Sequence, residues 1–180
     1  TGFTAGKVGI VGIVGSSAGG HLAASASTLA ETKPAFSILF YPVITAEKGK
    51  GHQGSFNALL GGSRNAESDT WYSLQNRVTA QTPPTLLLLS DDDKVVPPVN
   101  GILYYNALKE HGVKASMHIY PTGGHGWGIR DRFKYKEQWQ QATLDWLKEL
   151  NDDRNTASVL LRQPGLPGCV DVGIRPATSR

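Results

Sequence analysis

The 180-residue sequence predicts an α/β domain built on a mostly parallel sheet. Three observations carry this expectation. Short runs of β-branched and apolar residues recur four times, as buried parallel strands require. Segments of helical spacing or Ala-rich composition separate them, which implies right-handed crossovers. Prolines punctuate the last three runs: Pro42 after the second, Pro83 and Pro84 before the third, Pro121 after the fourth.

The first strand is expected at residues 7–14, KVGIVGIV, and the helix after it at 18–30, AGGHLAASASTLA, whose small residues suit close packing on a sheet. The second strand is expected at 35–41, AFSILFY. Residues 43–82 are long, polar and weakly periodic, with a helix only at 67–76. A connection of that length is usually a functional loop, so it is read as a lid-like insertion. The third strand is TLLLLS at 85–90, followed by a helix at 99–111 that ends before Gly112, a natural cap. The fourth is ASMHIY at 115–120. The last helix, 135–150, carries Trp139, Ala142, Leu144, Trp146, Leu147 and Leu150 as an apolar stripe, read as core packing. From residue 151 neither period persists and prolines and glycines accumulate, so 151–180 is expected to be an irregular or disordered tail.

The formal net charge of +3 is small, and no basic run is interleaved with aromatics, which argues against nucleic acid as a partner. Cys169 is the single cysteine, so no disulfide forms within the chain. No apolar run is long enough to cross a membrane, and no leader segment is visible.

Gly15-Ser16-Ser17-Ala18-Gly19 fits the G-x-S-x-G pattern of a nucleophile elbow, between a strand and a helix as that motif requires. Ser17 is therefore the candidate nucleophile. The competing reading is a glycine-rich turn with a capping serine, or an anion-binding turn. A catalytic serine needs a base to take its proton and an acid to orient the base. Asp91, Asp92 and Asp93 follow the third strand, and His125 follows the fourth among Gly123, Gly124, Gly126 and Gly128. Both loops lie past the carboxyl ends of strands, where sites of open α/β sheets assemble. Of the three aspartates, one is expected to orient His125 and the others to make turn hydrogen bonds or face solvent. His21, His52, His111 and His118 have no metal-ligand spacing to another histidine, and no cofactor is implied.

GSSAGGHLA, YPVIT, TPPTLLLLSDDDKVVPP and HIYPTGGHGWG together resemble the α/β-hydrolase esterases of plant-polysaccharide-degrading bacteria, chiefly the acetyl xylan esterase and feruloyl esterase group. The superfamily also holds dienelactone-hydrolase-like and prolyl-oligopeptidase-like enzymes. The similarity covers about residues 1–150 and implies a three-layer α/β-hydrolase fold, with 1–150 a partial catalytic domain. It maps the nucleophile to Ser17, the base to His125 and one oxyanion donor to the Ala18 amide. The family's D-x-x-V-P pattern selects Asp93, before Val96 and Pro97. Trp127, beside His125, is expected to border the acyl pocket together with the 43–82 segment.

Two departures stand out. The family places several strands and a second oxyanion donor before the elbow, so the amino-terminal strands are expected to be missing. The VGI doubling at 8–13 lengthens the elbow strand by three residues, which reverses its faces unless a bulge absorbs it. The expected function is a serine carboxylester hydrolase acting on acetyl or feruloyl esters of xylan type, with a small-molecule or polysaccharide ester as partner. A prolyl-oligopeptidase-type peptidase and a non-catalytic remnant are the alternatives. The resemblance is compatible with secretion or a periplasmic location, which the residues themselves do not decide.

Overall fold

A computed structural model of the chain describes residues 10–160, with side chains to residue 156. Its elements in order are β1 (Ile13–Ser16), α1 (Ala18–Thr28), β2 (Ser37–Phe40), α2 (Gln53–Leu60), α3 (Ala66–Tyr72), β3 (Thr85–Ser90), α4 (Val99–Glu110), β4 (Ala115–Tyr120) and α5 (Lys136–Leu160). The four strands form one parallel sheet in the order β1-β2-β3-β4. Among the described residues, one compact unit runs to Gln141 and a second begins at Ala142, within α5.

β2 and β3 are buried along their whole length, which is why SILF and TLLLLS read as continuous apolar runs. Their side chains alternate between two layers. Leu39 and Leu87 join Ala23 and Ala24 of α1 and Tyr104 and Leu108 of α4 in the main core. On the other face, Phe40 meets Trp139 of α5 edge-to-face, with centroids 5.1 Å apart. Helices on both faces of a parallel sheet make the three layers of an α/β-hydrolase fold.

The strand expected at 7–14 is β1, Ile13–Ser16. Residues 7–9 lie outside the described residues. Residues 10–12 are not strand because pairing with β2 begins only at Ile13 opposite Ser37, and continues without a bulge to Ser16 opposite Phe40. In that register Ile13 packs on the main core and Val14 is exposed. Among the described residues, β1 pairs with β2 alone.

Residues 43–82 hold more structure than the single helix expected at 67–76. They contain α2, α3 and short 3-10 turns at Gly61–Ser63 and Leu74–Arg77. Asn65 and Ser68 form a reciprocal capping box that starts α3. Two buried polar side chains bind the segment to its surroundings. Asn100, 1% exposed, accepts hydrogen bonds from the Ile44 and Thr45 amides and donates to the Lys50 and Pro97 carbonyls, so all of its polar atoms are satisfied. His21 of α1 meets Phe56 edge-to-face at 5.4 Å, and its Nε2 lies 2.9 Å from the Tyr72 carbonyl, to which it donates.

The tail expected to be irregular from residue 151 is helical to Leu160, as a continuation of α5. Residues 151–160 contain no proline or glycine, and the first breaker is Pro164. Residues 161–180, with Cys169, lie outside the described residues. Leu144 is 53% exposed rather than part of the apolar stripe. Five residues after Trp139, it stands about 140° round the helix from it.

Two expectations follow for stability. A Cβ on Gly15 would lie 2.3 Å from the Gly19 carbonyl oxygen and 2.7 Å from the Ala23 Cβ, whereas a Cβ on Gly19 meets nothing within 4 Å. Gly15→Ala is therefore expected to cost about 1–3 kcal/mol of overpacking. Gly19→Ala is expected to stabilise α1 by up to about 1 kcal/mol. Paired thermal melts decide this, and equal effects at the two positions would contradict it.

Burial of the imidazole pushes the His21 pKa below its ordinary 6.5, against the weaker opposing pull of the Tyr72 carbonyl. The unfolded chain then binds the proton first, so stability is complete above about pH 6.5 and is lost as pH falls through the depressed value. Denaturant titrations from pH 7.5 downward should show a drop that is smaller in His21→Gln. An identical pH slope in both proteins would remove His21 as its source.

Candidate active site

Ser17 sits between the end of β1 and the start of α1 with φ 55° and ψ −124°, a conformation that costs a non-glycine residue about 1–3 kcal/mol. The neighbouring backbone holds it there. Its amide donates to the Phe40 carbonyl at the end of β2, and its carbonyl accepts from Gly20, His21 and Val43. The turn is possible because strand and helix almost touch: Gly15 leaves no room for a Cβ, and Gly20 packs directly on Pro42. Ser17 makes no cap to its own helix. Its hydroxyl is turned instead toward His125.

The His125 Nε2 lies 2.8 Å from the Ser17 Oγ, and its Nδ1 lies 2.7 Å from Asp93 Oδ2. Asp93 is 5% exposed, and its other oxygen accepts from the Val95 and Val96 amides at 2.9 and 3.0 Å. These two donors fix the orientation of the carboxylate. Asp92 accepts instead from the Gly124 amide at 2.8 Å, and so ties the acid loop to the histidine loop. Asp91 is exposed, and its amide bonds the Tyr120 carbonyl at the end of β4.

The structure thus brings Ser17, His125 and Asp93 into one hydrogen-bonded chain. Ala18 is the first residue of α1, where an amide has no intrahelical acceptor and lies at the positive end of the helix dipole. Trp127 is only 3% exposed. It stacks on Phe133 with centroids 4.0 Å apart and meets Phe40, Tyr41 and Tyr120 edge-on. Its surroundings are an aromatic cluster under the histidine loop.

Tyr41 is a site residue that sequence reasoning passed over. It has φ 35°, and its ring packs edge-on to His125 at 4.7 Å. Burial pushes its hydroxyl pKa up, so it stays a neutral phenol, although the Gly128 backbone and Arg130 pull the other way. The signal was available: Tyr41-Pro42 follows the carboxyl end of β2, beside the elbow, as the acid and histidine loops follow β3 and β4. Among the described residues, no group of three or more His, Cys, Asp or Glu side chains is placed to hold a metal ion.

The arrangement can take a proton from a serine hydroxyl, stabilise the resulting imidazolium and offer a backbone amide to a developing oxyanion. Known proteins share the chain's pattern. An acetylxylan esterase of Xylanibacter ruminicola is 44% identical over 146 residues, covering 78% of this chain and 30% of that protein. Endo-1,4-beta-xylanase B of Butyrivibrio fibrisolvens is 33% identical over 127 residues, covering 63% of this chain and 20% of its own. The crystal structure of an acetyl ester-xyloside bifunctional hydrolase from Caldicellulosiruptor lactoaceticus superposes with a TM-score of 0.72 at 34% identity, over 78% of this chain and 56% of that one. The chain therefore spans less than a third of the curated esterase and just over half of the solved hydrolase. The model of the prolyl oligopeptidase family matches residues 8–153. By this match and by its parallel three-layer fold, the chain belongs to the prolyl oligopeptidase family of α/β-hydrolases.

Proposed function

We propose that these residues form the catalytic part of a serine carboxylester hydrolase acting on acyl esters of xylan-type polysaccharide, acetyl or feruloyl. The observation that carries the reading is the Asp93–His125–Ser17 chain, with distances of 2.7 and 2.8 Å, on a strained strand-to-helix turn. In this mechanism His125 Nε2 takes the Ser17 proton as Oγ attacks the ester carbonyl. Asp93 holds Nδ1–H and stabilises the imidazolium without itself taking the proton. The Ala18 amide supplies one donor to the tetrahedral oxyanion. The imidazolium then protonates the departing alcohol, and a water activated by the same histidine releases the acid from Ser17.

The substrate class rests on the relatives, whose names point to acetylated xylan. In the same reading the 43–82 segment borders the site as a lid. It supports this role that Phe56 and Tyr72 of that segment line an apolar cavity of about 320 Å³ together with Ala18, His21 and Leu22 of α1. Trp127, expected to wall the acyl pocket, does not line this cavity and packs on Phe133 under the histidine loop. A second reading is a peptidase, which the family's own name favours. Parallel assays of 4-nitrophenyl acetate and a prolyl-peptide nitroanilide with the full-length protein separate the two, since only the peptidase reading requires turnover of the amide.

In that protein, Ser17→Ala and His125→Ala are expected to lower ester turnover by several orders of magnitude, down to the residual left by binding and oxyanion stabilisation. Asp93→Asn should fall about 10⁴-fold, by analogy with loss of a triad acid. Asp91→Asn and Asp92→Asn should be mild. Near-parental turnover in Ser17→Ala or His125→Ala would remove that residue from the mechanism, and a dominant loss at Asp92 would move the acid by one residue.

A further inference from the structure

A second cavity, of about 340 Å³, opens beside the histidine, lined among others by His125, Arg130, Arg132 and Lys134 over a floor of Trp127 and Phe133. No acidic side chain lines it. The one carboxylate on the same loop, Asp131, is engaged by Lys136, which pulls its pKa down through hydrogen bonding and charge. Among the described residues, Arg130, Arg132 and Lys134 form no ion pair. On the opposite loop, Asp93 is held by His125 and Asp92 by the Gly124 amide.

The loop that carries these cations is pinned. The Arg130 amide donates to the Trp127 carbonyl, Phe133 to Arg130 and Lys136 to Phe133, a run of short turns. The Trp127–Phe133 stack holds the run against the aromatic cluster. Three cations without a carboxylate partner, of which Lys134 also lies over the Tyr135 ring at 5.5 Å, repel each other around one cavity in the free protein, and a bound anion relieves that repulsion.

We infer that this cavity is an anion subsite for the alcohol portion of the ester, and that the enzyme prefers esters whose leaving group carries a carboxylate, such as an acidic sugar. The placement follows from the chemistry and rests on the esterase reading above. His125 hands its proton to the departing alcohol, so the leaving group lies on the imidazole side. The cavity includes His125 but neither Ser17 nor Ala18, where the acyl carbon and its oxyanion sit.

The test separates binding from turnover. In Ser17→Ala, titration calorimetry compares 4-hydroxybenzoate with the neutral 4-hydroxybenzamide, the two alcohols released from the matching acetate esters. The anion is expected to bind about tenfold more tightly at low salt, as three exposed cations of modest individual worth allow. High salt should erase the preference, because exposed charges are screened. So should the Arg130→Gln/Arg132→Gln/Lys134→Gln triple variant; should it fail to melt cooperatively, the salt titration decides alone. Equal affinity for the two alcohols, or a preference that survives both treatments, overturns the subsite. In turnover by the unsubstituted full-length protein, 4-acetoxybenzoate should outrun 4-acetoxybenzamide by a similar factor. Mono-4-nitrophenyl succinate, charged on the acyl side, should gain nothing over 4-nitrophenyl butyrate, and a gain there overturns the leaving-group placement. Selective anion binding with no ester turnover would sink the esterase reading and leave the subsite standing.

Discussion

Ser17 holds a backbone conformation that its own side chain disfavours, and much of the sheet serves to keep it there. The cost of a positive φ at a non-glycine residue is about 1–3 kcal/mol, and local contacts must over-determine it for it to persist. Here the restraints come from β2 on one side, through the Phe40 carbonyl, and from Val43 and the first turn of α1 on the other. Each needs β1 and α1 at their closest approach, which Gly15 and the small residues of α1 permit. The Ala-rich character of that helix, its weak amphipathicity and the Gly20–Pro42 contact are consequences of one tight turn.

The rest of the site follows from the same geometry. Parallel strands deliver their carboxyl ends to one edge, so the residues after β1, β2, β3 and β4 converge there: Ser17, Tyr41, Asp93 and His125. Convergence alone does not orient an imidazole. That takes the Asp93 carboxylate, itself held by two amides, the edge of the Tyr41 ring and the Asp92 bond to Gly124. Trp127 and Phe133 then support the loop from below, which lets the glycines around His125 turn sharply without leaving it mobile. Gly123 is an example, with φ 143° and the Phe133 ring and Ser90 hydroxyl where a side chain would go.

What the sequence made legible was what repeats along the chain. β3 and β4 were readable to the residue, because a run such as TLLLLS leaves no other buried conformation. Ser17, the aspartate run and His125 drew attention because each lies just past a strand, and the choice of Asp93 among three aspartates came from the D-x-x-V-P pattern of the resemblance. β1 was displaced because its start depends on where β2 pairs with it, a tertiary matter that apolar composition does not encode. α5 was cut short because its polar continuation lacks an apolar stripe, yet it contains nothing that breaks a helix. Asn100 escaped notice for a different reason. Its role is a long-range contact with amides 55 and 56 residues away, and no local pattern announces it.

The mechanism stands on Ser17 being a nucleophile activated by His125. The most direct measurement is covalent capture of the full-length protein by a fluorophosphonate probe, followed by peptide mass spectrometry. The mechanism predicts one adduct, on Ser17, formed rapidly in the parent, absent in Ser17→Ala and strongly slowed in His125→Ala. No adduct, or an adduct on Ser16 or Ser25 that forms equally fast without His125, would contradict it.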